Sequence, residues 1–178
     1  MLRPMSRAEL PLLARWLAEP HVARWWREPA DLGRVTATYG PALDGDDPTE
    51  LLIAELDGEP IGMVQRYLLA DNVDYRAALE RAGARGDAAS IDYLVGTPSL
   101  TGLGLGPEMI RLVTEETWAA NPHVPQIAVA VQQENRRSWR ALEKAGYRRI
   151  WSGIVDSGDP SDDGPSFVYA RDRPPARS

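Results

Sequence analysis

The chain has 178 residues, of which 43% are hydrophobic, and it carries a formal net charge of −6 at pH 7. That length suits one compact domain with a full core, and the acidic balance argues against a general nucleic-acid binder. There is no cysteine and there are two histidines, which excludes disulfides, cysteine nucleophiles and thiolate or histidine metal centres. Without an apolar run long enough for a membrane span or a leader-like start, we expect a soluble, cytoplasmic protein.

Periodicity and turn residues predict alternating helices and strands. Apolar residues recur at helical spacing after a capping box of Ser6 and Glu9, and Asp57–Gly58 is a strong hairpin signal between two apolar runs. The predicted elements in chain order are helices 3–18 and 31–39, strands 51–56 and 60–69, helix 75–81, strand 91–95, helix 106–119, strand 127–131, helix 135–145, and strands 147–155 and 167–170. This order predicts an α/β fold with a mixed sheet flanked by helices, as one domain over 1–172 with a flexible tail over 173–178.

Two adjacent tryptophans, Trp25 and Trp26, follow the first predicted helix. They cannot both face one helical core, so we expect at least one in a pocket wall or an interface; the alternative is an aromatic that caps a loop. The segment 71–89 is a long insertion before the central strand, and such loops often shape a substrate site.

The stretch from Ser90 to Met109 joins an apolar strand to three alternating glycines and the start of a helix. Gly102, Gly104 and Gly106 allow close backbone approach, and the free N–H groups of the helix that follows favour negative charge. The stretch therefore predicts a phosphate site. It lacks the lysine of a Walker loop and the glycine spacing of a dinucleotide fingerprint, and a flexible turn without a ligand is the alternative.

The segment 135–147 reads Asn-Arg-Arg-Ser-Trp-Arg-Ala-Leu-Glu-Lys-Ala-Gly-Tyr. Together with the glycine loop upstream, it resembles the GCN5-related N-acetyltransferase (GNAT) family. The resemblance implies a GNAT fold with splayed central strands, acetyl-CoA as co-substrate and no metal. The cofactor-binding residues that it implies are Leu94, Val95, Leu103, Gly104, Leu105, Gly106, Asn135, Arg136 and Arg140.

Further segments, 22–26, 58–62, 90–92 and 163–165, resemble the aminoglycoside 6'-N-acetyltransferase subfamily. This resemblance implies a small cationic amine as the substrate, with an aspartate on the central strand beside the acceptor amine. The substrate-binding residues that it implies are Trp26, Tyr39, Gln65, Asp74, Asp92 and Asp163.

Asp92 is the predicted catalytic residue, because a carboxylate there would attract an ammonium and take its proton, directly or through water. We expect the backbone N–H of Leu94 to stabilise the developing oxyanion. The alternative for Asp92 is an ordinary outward-facing strand residue.

The chain also departs from the pattern that it resembles. Thr101 stands where the glycine motif often begins with Gln or Arg, and Leu142 stands where many members carry a tyrosine that protonates the departing thiolate. Ala130 replaces an aspartate of the subfamily, and Arg76 and Ala77 replace an aromatic pair. These losses weaken the drug-site interpretation and leave the acetyl-CoA interpretation intact.

Two alternatives therefore stay open. One is acyl transfer to another amine, such as a siderophore hydroxylysine or a polyamine; the other is a non-catalytic module that binds acyl-CoA or a drug. We expect no nucleic-acid or membrane partner, and either a monomer or a homodimer.

Overall fold

The computed structural model describes residues 1–175, which form a mixed sheet with helices on both faces. The strands are β1 (Leu2–Pro4), β2 (Glu50–Leu56), β3 (Glu59–Leu68), β4 (Ala89–Val95), β5 (Gln126–Gln132), β6 (Arg148–Ile154) and β7 (Pro165–Asp172). The helices are α1 (Leu10–Ala18), α2 (Pro20–Trp26), α3 (Leu32–Asp44), α4 (Val73–Arg81), α5 (Leu105–Ala120) and α6 (Arg136–Lys144). This architecture confirms the predicted fold class.

The sheet runs in the order β1-β2-β3-β4-β5-β7-β6, and neighbouring strands are antiparallel except β4 and β5. Those two central strands are parallel and share one paired position, Ala89 with Ile127. Beyond that pair they diverge. The splayed central strands that the resemblance implied are therefore present.

The alternation of side chains along the strands separates two large cores. Leu52 and Ala54 of β2 pack with α5 on one face, whereas Leu51 and Ile53 pack with α1 and α3 on the other. A third cluster packs α4 against β5 and β7. Both central strands are thus held rigidly although their far ends do not pair.

The N-terminal segment differs from the single helix predicted over 3–18. Leu2–Pro4 pairs with β2, and the helix begins only at Leu10, after a 3₁₀ turn that contains the predicted capping box. In that box the backbone N–H of Ser6 donates to Glu9 Oε2 at 2.8 Å. A three-residue strand next to a helical pattern carries too little periodicity to be predicted.

The second predicted helix, 31–39, is longer in the structure and runs through Gly40 and Pro41 to Asp44. Gly40 is buried, and a Cβ there would meet the Arg7 guanidinium at 3.2 Å. Arg7 donates two hydrogen bonds to the Asp44 carboxylate, at 2.7 and 2.6 Å. This tertiary contact lies beside the last turn, which is capped by Gly45, whose N–H donates to Pro41 O.

The tail predicted over 173–178 is described only as far as residue 175. Arg173 is anchored: its backbone N–H donates to Pro125 O at 2.7 Å, and its guanidinium donates to the carbonyls of Trp118, Asn121 and Val124. These carbonyls lie at and just after the end of α5, where a cation is favourable. Residues 176–178 lie outside the described part, so the domain boundary stays a prediction.

Within residues 1–175, no helix is both long and apolar enough to cross a membrane.

Candidate active site

A cleft of about 1090 Å³ follows the splay between β4 and β5. At one end it is lined by the glycine loop and α6, and at the other by α2, β3, α4 and the loop 157–162. Ten predicted site residues line it: Trp26, Gln65, Asp92, Leu94, Val95, Gly104, Gly106, Asn135, Arg136 and Arg140. The structure does not bring the side chains of Leu103, Leu105, Tyr39, Asp74 and Asp163 into its lining.

The glycine-loop end has the geometry of an anion site. Gly102 and Gly104 have φ angles of +83° and +85°, and Gly104 is the N-cap of α5. The N–H groups of the first turn of α5, which begins at Leu105, have no partner within the helix. Basic side chains of α6 line the same end: Arg136, Arg137, Arg140 and Lys144. Leu103 is 67% exposed and does not line the cleft.

The open edge of β4 supplies backbone groups along the middle of the cleft. Gly96 N–H donates to Ile61 O of the neighbouring segment at 2.9 Å, and in an antiparallel pair the direction of these groups alternates. By that alternation, the N–H groups of Asp92 and Leu94 point to β3, and those of Tyr93 and Val95 point to the splay. The oxyanion donor expected at Leu94 is therefore better placed at Tyr93.

Two side chains close to this edge are already engaged. His21 Nε2 lies 2.8 Å from Val95 O, which fixes α2 against β4. Asn135 is the N-cap of α6, where its Oδ1 accepts a hydrogen bond from Ser138 N at 3.3 Å. The side-chain oxygen of Asn135 thus serves the helix start, and its predicted contact with the cofactor stays a prediction.

Asp92 lies half-buried at the centre of the cleft. Gln65, its register partner on β3, donates from Nε2 to Asp92 Oδ2 at 2.8 Å. Burial raises the pKa of Asp92, and the Gln65 amide and the nearby Tyr67 hydroxyl offset part of that rise. A carboxylate with a raised pKa is a better proton acceptor than one at the surface.

Carboxyl groups that the sequence analysis did not single out line the substrate end with Asp92. Burial raises the pKa of Glu28, and the neighbouring Asp159 and Asp92 carboxylates raise it further. Burial likewise raises the pKa of Asp162 to about 6, although Ser157 Oγ donates to it at 2.6 Å. Asp159 Oδ1 caps the same loop by accepting from Ser161 N at 2.7 Å. This end of the cleft is therefore lined by carboxyl groups, of which Glu28 and Asp162 are half-buried and Asp159 is exposed.

The predicted substrate residues take different positions around this surface. Trp26 lines the cleft and donates from Nε1 to the Tyr39 hydroxyl at 2.8 Å, which in turn donates to Glu28 Oε2 at 2.9 Å. Tyr39 is buried behind the wall, so it supports Trp26 and Glu28. Asp74 and Asp163 are exposed.

The structure also shows what surrounds the residues at which this chain differs from the family pattern. Leu142 is fully buried, whereas Ala130 lines the cleft and its N–H faces the Tyr75 hydroxyl at 3.4 Å. Tyr75 comes from α4, within the insertion that was expected to shape a substrate site. Thr101 lines the cleft and donates from Oγ1 to Pro98 O at 2.8 Å.

This fold, with its splayed strands and glycine loop, defines an acyltransferase of the GNAT type. The family model described as "Acetyltransferase (GNAT) domain" matches residues 6–152, and the chain belongs to that family. The chain is 32% identical over 176 residues to aminoglycoside N(6')-acetyltransferase type 1 of Klebsiella pneumoniae. The match covers 97% of this chain and 82% of that protein.

A crystal structure of aminoglycoside acetyltransferase AAC(6')-Ib in complex with coenzyme A and kanamycin has the same fold. Its TM-score is 0.82 at 29% identity, covering 97% of this chain and 94% of that one. N(6)-hydroxylysine O-acetyltransferase of Escherichia coli is 26% identical over 147 residues, covering 83% of this chain and 44% of that protein. The chain is therefore an acetyltransferase.

Proposed function

We propose that this enzyme transfers an acetyl group from acetyl-CoA to the 6'-amine of an aminoglycoside. The observation that supports the proposal is a single cleft with an anion-binding end and a carboxylate-lined end, which meet at Asp92. The relatives are named as aminoglycoside acetyltransferases, and one was crystallised with coenzyme A and kanamycin. Coenzyme A suits the anion-binding end of the cleft, and a cationic aminoglycoside suits the carboxylate-lined end.

The glycine-loop end fits the phosphates of acetyl-CoA. The backbone of 103–106 and the first turn of α5 would donate to the pyrophosphate, with Arg136 and Arg140 providing positive charge. Beyond Ala89, the edge of β4 lacks a partner strand and would pair with the pantetheine chain. Acetyl-CoA supplies an activated acetyl group, and the remaining chemistry falls to side chains of the cleft.

At the other end, the chain must hold a polycation and free one amine for attack. Glu28, Asp159 and Asp162 would bind ammonium groups, and Trp26 would pack against a sugar ring. Asp92 would take a proton from the acceptor ammonium, directly or through water. The neutral nitrogen then forms a bond to the acetyl carbonyl carbon, and the carbon–sulfur bond breaks with its electron pair on sulfur. The nitrogen gives up a second proton to solvent, which leaves the amide and free CoA. Tyr93 N–H would donate to the carbonyl oxygen as it gains charge.

The experiment compares Asp92→Asn with the native enzyme by thiol release from acetyl-CoA. Aminoglycosides with a 6'-amine should be turned over, and matched compounds with a 6'-hydroxyl should not. We expect Asp92→Asn to lose about 10²- to 10⁴-fold in kcat, the usual contribution of a general base. Asp57→Asn, in the exposed hairpin turn, is the matched control and should retain activity.

The same assay tests the alternative functions. Turnover of a polyamine or of N-hydroxylysine, with none of any aminoglycoside, would replace the substrate while keeping the enzyme class. Saturable binding of acetyl-CoA and drug without thiol release would indicate a binding module. The cytoplasmic location and the choice between monomer and homodimer belong to this proposal as well; sedimentation and cell fractionation test them.

A further inference from the structure

Two hydroxyl groups meet in the wall of the cleft between its two ends. Tyr93 Oη lies 2.8 Å from Ser138 Oγ, and both residues line the cleft. Tyr93 comes from β4 and Ser138 from the first turns of α6. Ser138 lies one helical turn before Leu142 and on the same face, because residues four apart on a helix are neighbours. Leu142 itself is buried and apolar.

Asp92 and Tyr93 are adjacent on β4, so their side chains leave opposite faces of the sheet. Asp92 lies with Gln65 on the face of α1 and α2, whereas Tyr93 packs against the core of α5 and α6. An acetyl group placed between the splayed strands would therefore have a proton acceptor on one face and a hydroxyl donor on the other. This arrangement separates the two proton transfers that aminolysis of a thioester requires.

Resting on the acetyl transfer proposed above, we propose that Tyr93 is the catalytic acid, donating its hydroxyl proton to the CoA sulfur as the carbon–sulfur bond breaks. The acceptor ammonium loses one proton to Asp92, and the neutral nitrogen bonds to the acetyl carbon. As the carbon–sulfur bond breaks and its electron pair stays on sulfur, the nitrogen loses a second proton to solvent and becomes the amide. Tyr93 protonates that sulfur and later recovers a proton from solvent in the open cleft. Ser138 is a positioning residue, because its hydroxyl can donate to the Tyr93 oxygen as the proton leaves.

The surroundings of Tyr93 keep its hydroxyl protonated. Burial raises the pKa of Tyr93, so the phenol stays protonated through neutral pH, and the hydrogen bond with Ser138 partly counteracts that rise. The nearby Asp92 and Tyr147 groups raise the pKa further. The hydroxyl therefore enters each turnover as a donor.

Tyr147 provides a matched control from the same core. It is buried, its Oη lies 2.7 Å from Thr114 Oγ1, and it is absent from the lining of the cleft. Tyr147→Phe and Tyr93→Phe each remove one hydroxyl from a pair of hydroxyls. They differ in access to the cleft.

The first measurement is the pKa of the thiol of bound CoA, followed by the ultraviolet absorbance of the thiolate, with no acceptor present. A hydroxyl that donates to sulfur stabilises the thiolate, so we expect this pKa to be about one pH unit higher in Tyr93→Phe than in the native protein. Tyr147→Phe should match the native protein. Desulfo-CoA, which lacks the sulfur, should bind equally to all three.

The second measurement is the kinetics of thiol release. We expect Tyr93→Phe to lower kcat by about 10²-fold with little change in KM for acetyl-CoA, and Ser138→Ala to lower it less. If Tyr93→Phe fails to fold, Ser138→Ala carries the test, because it should shift the bound thiol pKa in the same direction.

The failures are distinguishable. Equal thiol pKa values in the native protein and both cleft variants would overturn the role of Tyr93 and leave the acetyl transfer standing. Loss of desulfo-CoA binding in Tyr93→Phe would show a packing role instead of a proton donor, and so would also overturn it. No CoA binding by the native protein would overturn this proposal and the proposed function together. If the pKa of the bound CoA thiol rises in Tyr93→Phe as expected but no aminoglycoside is turned over, only the proposed acceptor is rejected.

Discussion

Single residues set the charge at the substrate end of the cleft. Burial raises the pKa values of Glu28, Asp92 and Asp162, and the nearby charge of Asp159 raises all three further. A bound polycation would relieve that repulsion and replace the lost hydration. The same groups that are costly to ionise in the free protein are therefore the ones that gain most from ammonium partners.

The binding of an aminoglycoside should depend on pH through Asp162. The pKa of its carboxyl is raised to about 6, so the group is ionised above that pH and becomes neutral as the pH falls through it. We expect affinity, measured by calorimetry without acetyl-CoA, to fall between pH 7.5 and 5. Asp162→Asn should bind about tenfold more weakly at pH 7.5 and lose part of this pH dependence.

Asp163→Asn is the control for this measurement, because it makes the same replacement of a carboxylate by an amide at the next residue of the loop. Asp163 is exposed, and its carbonyl accepts from Arg27 at 3.3 Å. A larger effect of Asp163→Asn than of Asp162→Asn would show that the loop rearranges around the substrate, and it would favour the residue that the sequence predicted.

Several side chains that the sequence predicted for the site lie together in the structure, for reasons that a strand pattern carries. Asp92 and Gln65 face each other because their strands pair in a fixed register. The choice between Asp162 and Asp163 depends on the conformation of an irregular loop, which no periodicity specifies. Glu28 is an acid between Arg27 and Pro29, and only its hydrogen bond with Tyr39 sets it apart from a surface residue.

At the scale of elements, α1 is fixed to the end of β4 by a contact that needs a glycine. A Cβ on Gly96 would overlap the indole ring of Trp16, which is 5% exposed. The same glycine donates its N–H to Ile61 O. Helix and strand therefore approach at the point where β4 turns toward the glycine loop, which sets the direction of that loop.

We expect Gly96→Ala to lower the free energy of unfolding by about 1–3 kcal/mol, because the methyl group must displace a packed indole. Urea unfolding followed by tryptophan fluorescence measures the change. Gly33→Ala is the control: Gly33 is exposed on α3, and a Cβ there meets Asp31 Oδ1 at an ordinary 3.4 Å. An unchanged midpoint for Gly96→Ala would mean that α1 can shift away from β4 without cost.

Elements with strong periodicity or turn chemistry were predicted well, and those fixed by tertiary contacts were not. The hairpin at Asp57–Gly58 and the glycine after α6, Gly146, carry local signals, and both have the positive φ expected of a turn or a helix end. By contrast, α3 continues past Pro41, and the Arg7–Asp44 contact beside its last turn joins distant parts of the chain, which no local pattern specifies.

On the scale of the whole molecule, the splay divides the sheet into two parts. Strands β1 to β4 form one part and β5 to β7 the other, with the pair Ala89–Ile127 between them. Helices α5 and α6 and their core cover the gap on one face. A ligand that lies in the gap would bond to β4 and pack against β5, so it would join the two parts.

Coenzyme A should therefore stabilise the protein as a whole. At 100 times its Kd it adds about 2.7 kcal/mol, which corresponds to a rise in Tm of about 5–10 °C for a chain of this size. Hydrogen exchange should slow at the N–H groups of Tyr93 and Val95. Adenosine bisphosphate, which lacks the pantetheine chain, should stabilise less and leave those two amides unchanged. Equal protection by both ligands would contradict a pantetheine in the splay.

The two ends of the cleft are built from separate stretches of the chain. The phosphate end comes from the glycine loop and α6, and the anionic end from α2, β3, α4 and the loop 157–162. Substitutions in that loop can therefore change the acceptor site while the donor site stays intact. On the proposed function, the loop 157–162 is the part of the chain where a change of acceptor would arise without loss of the supply of acetyl groups.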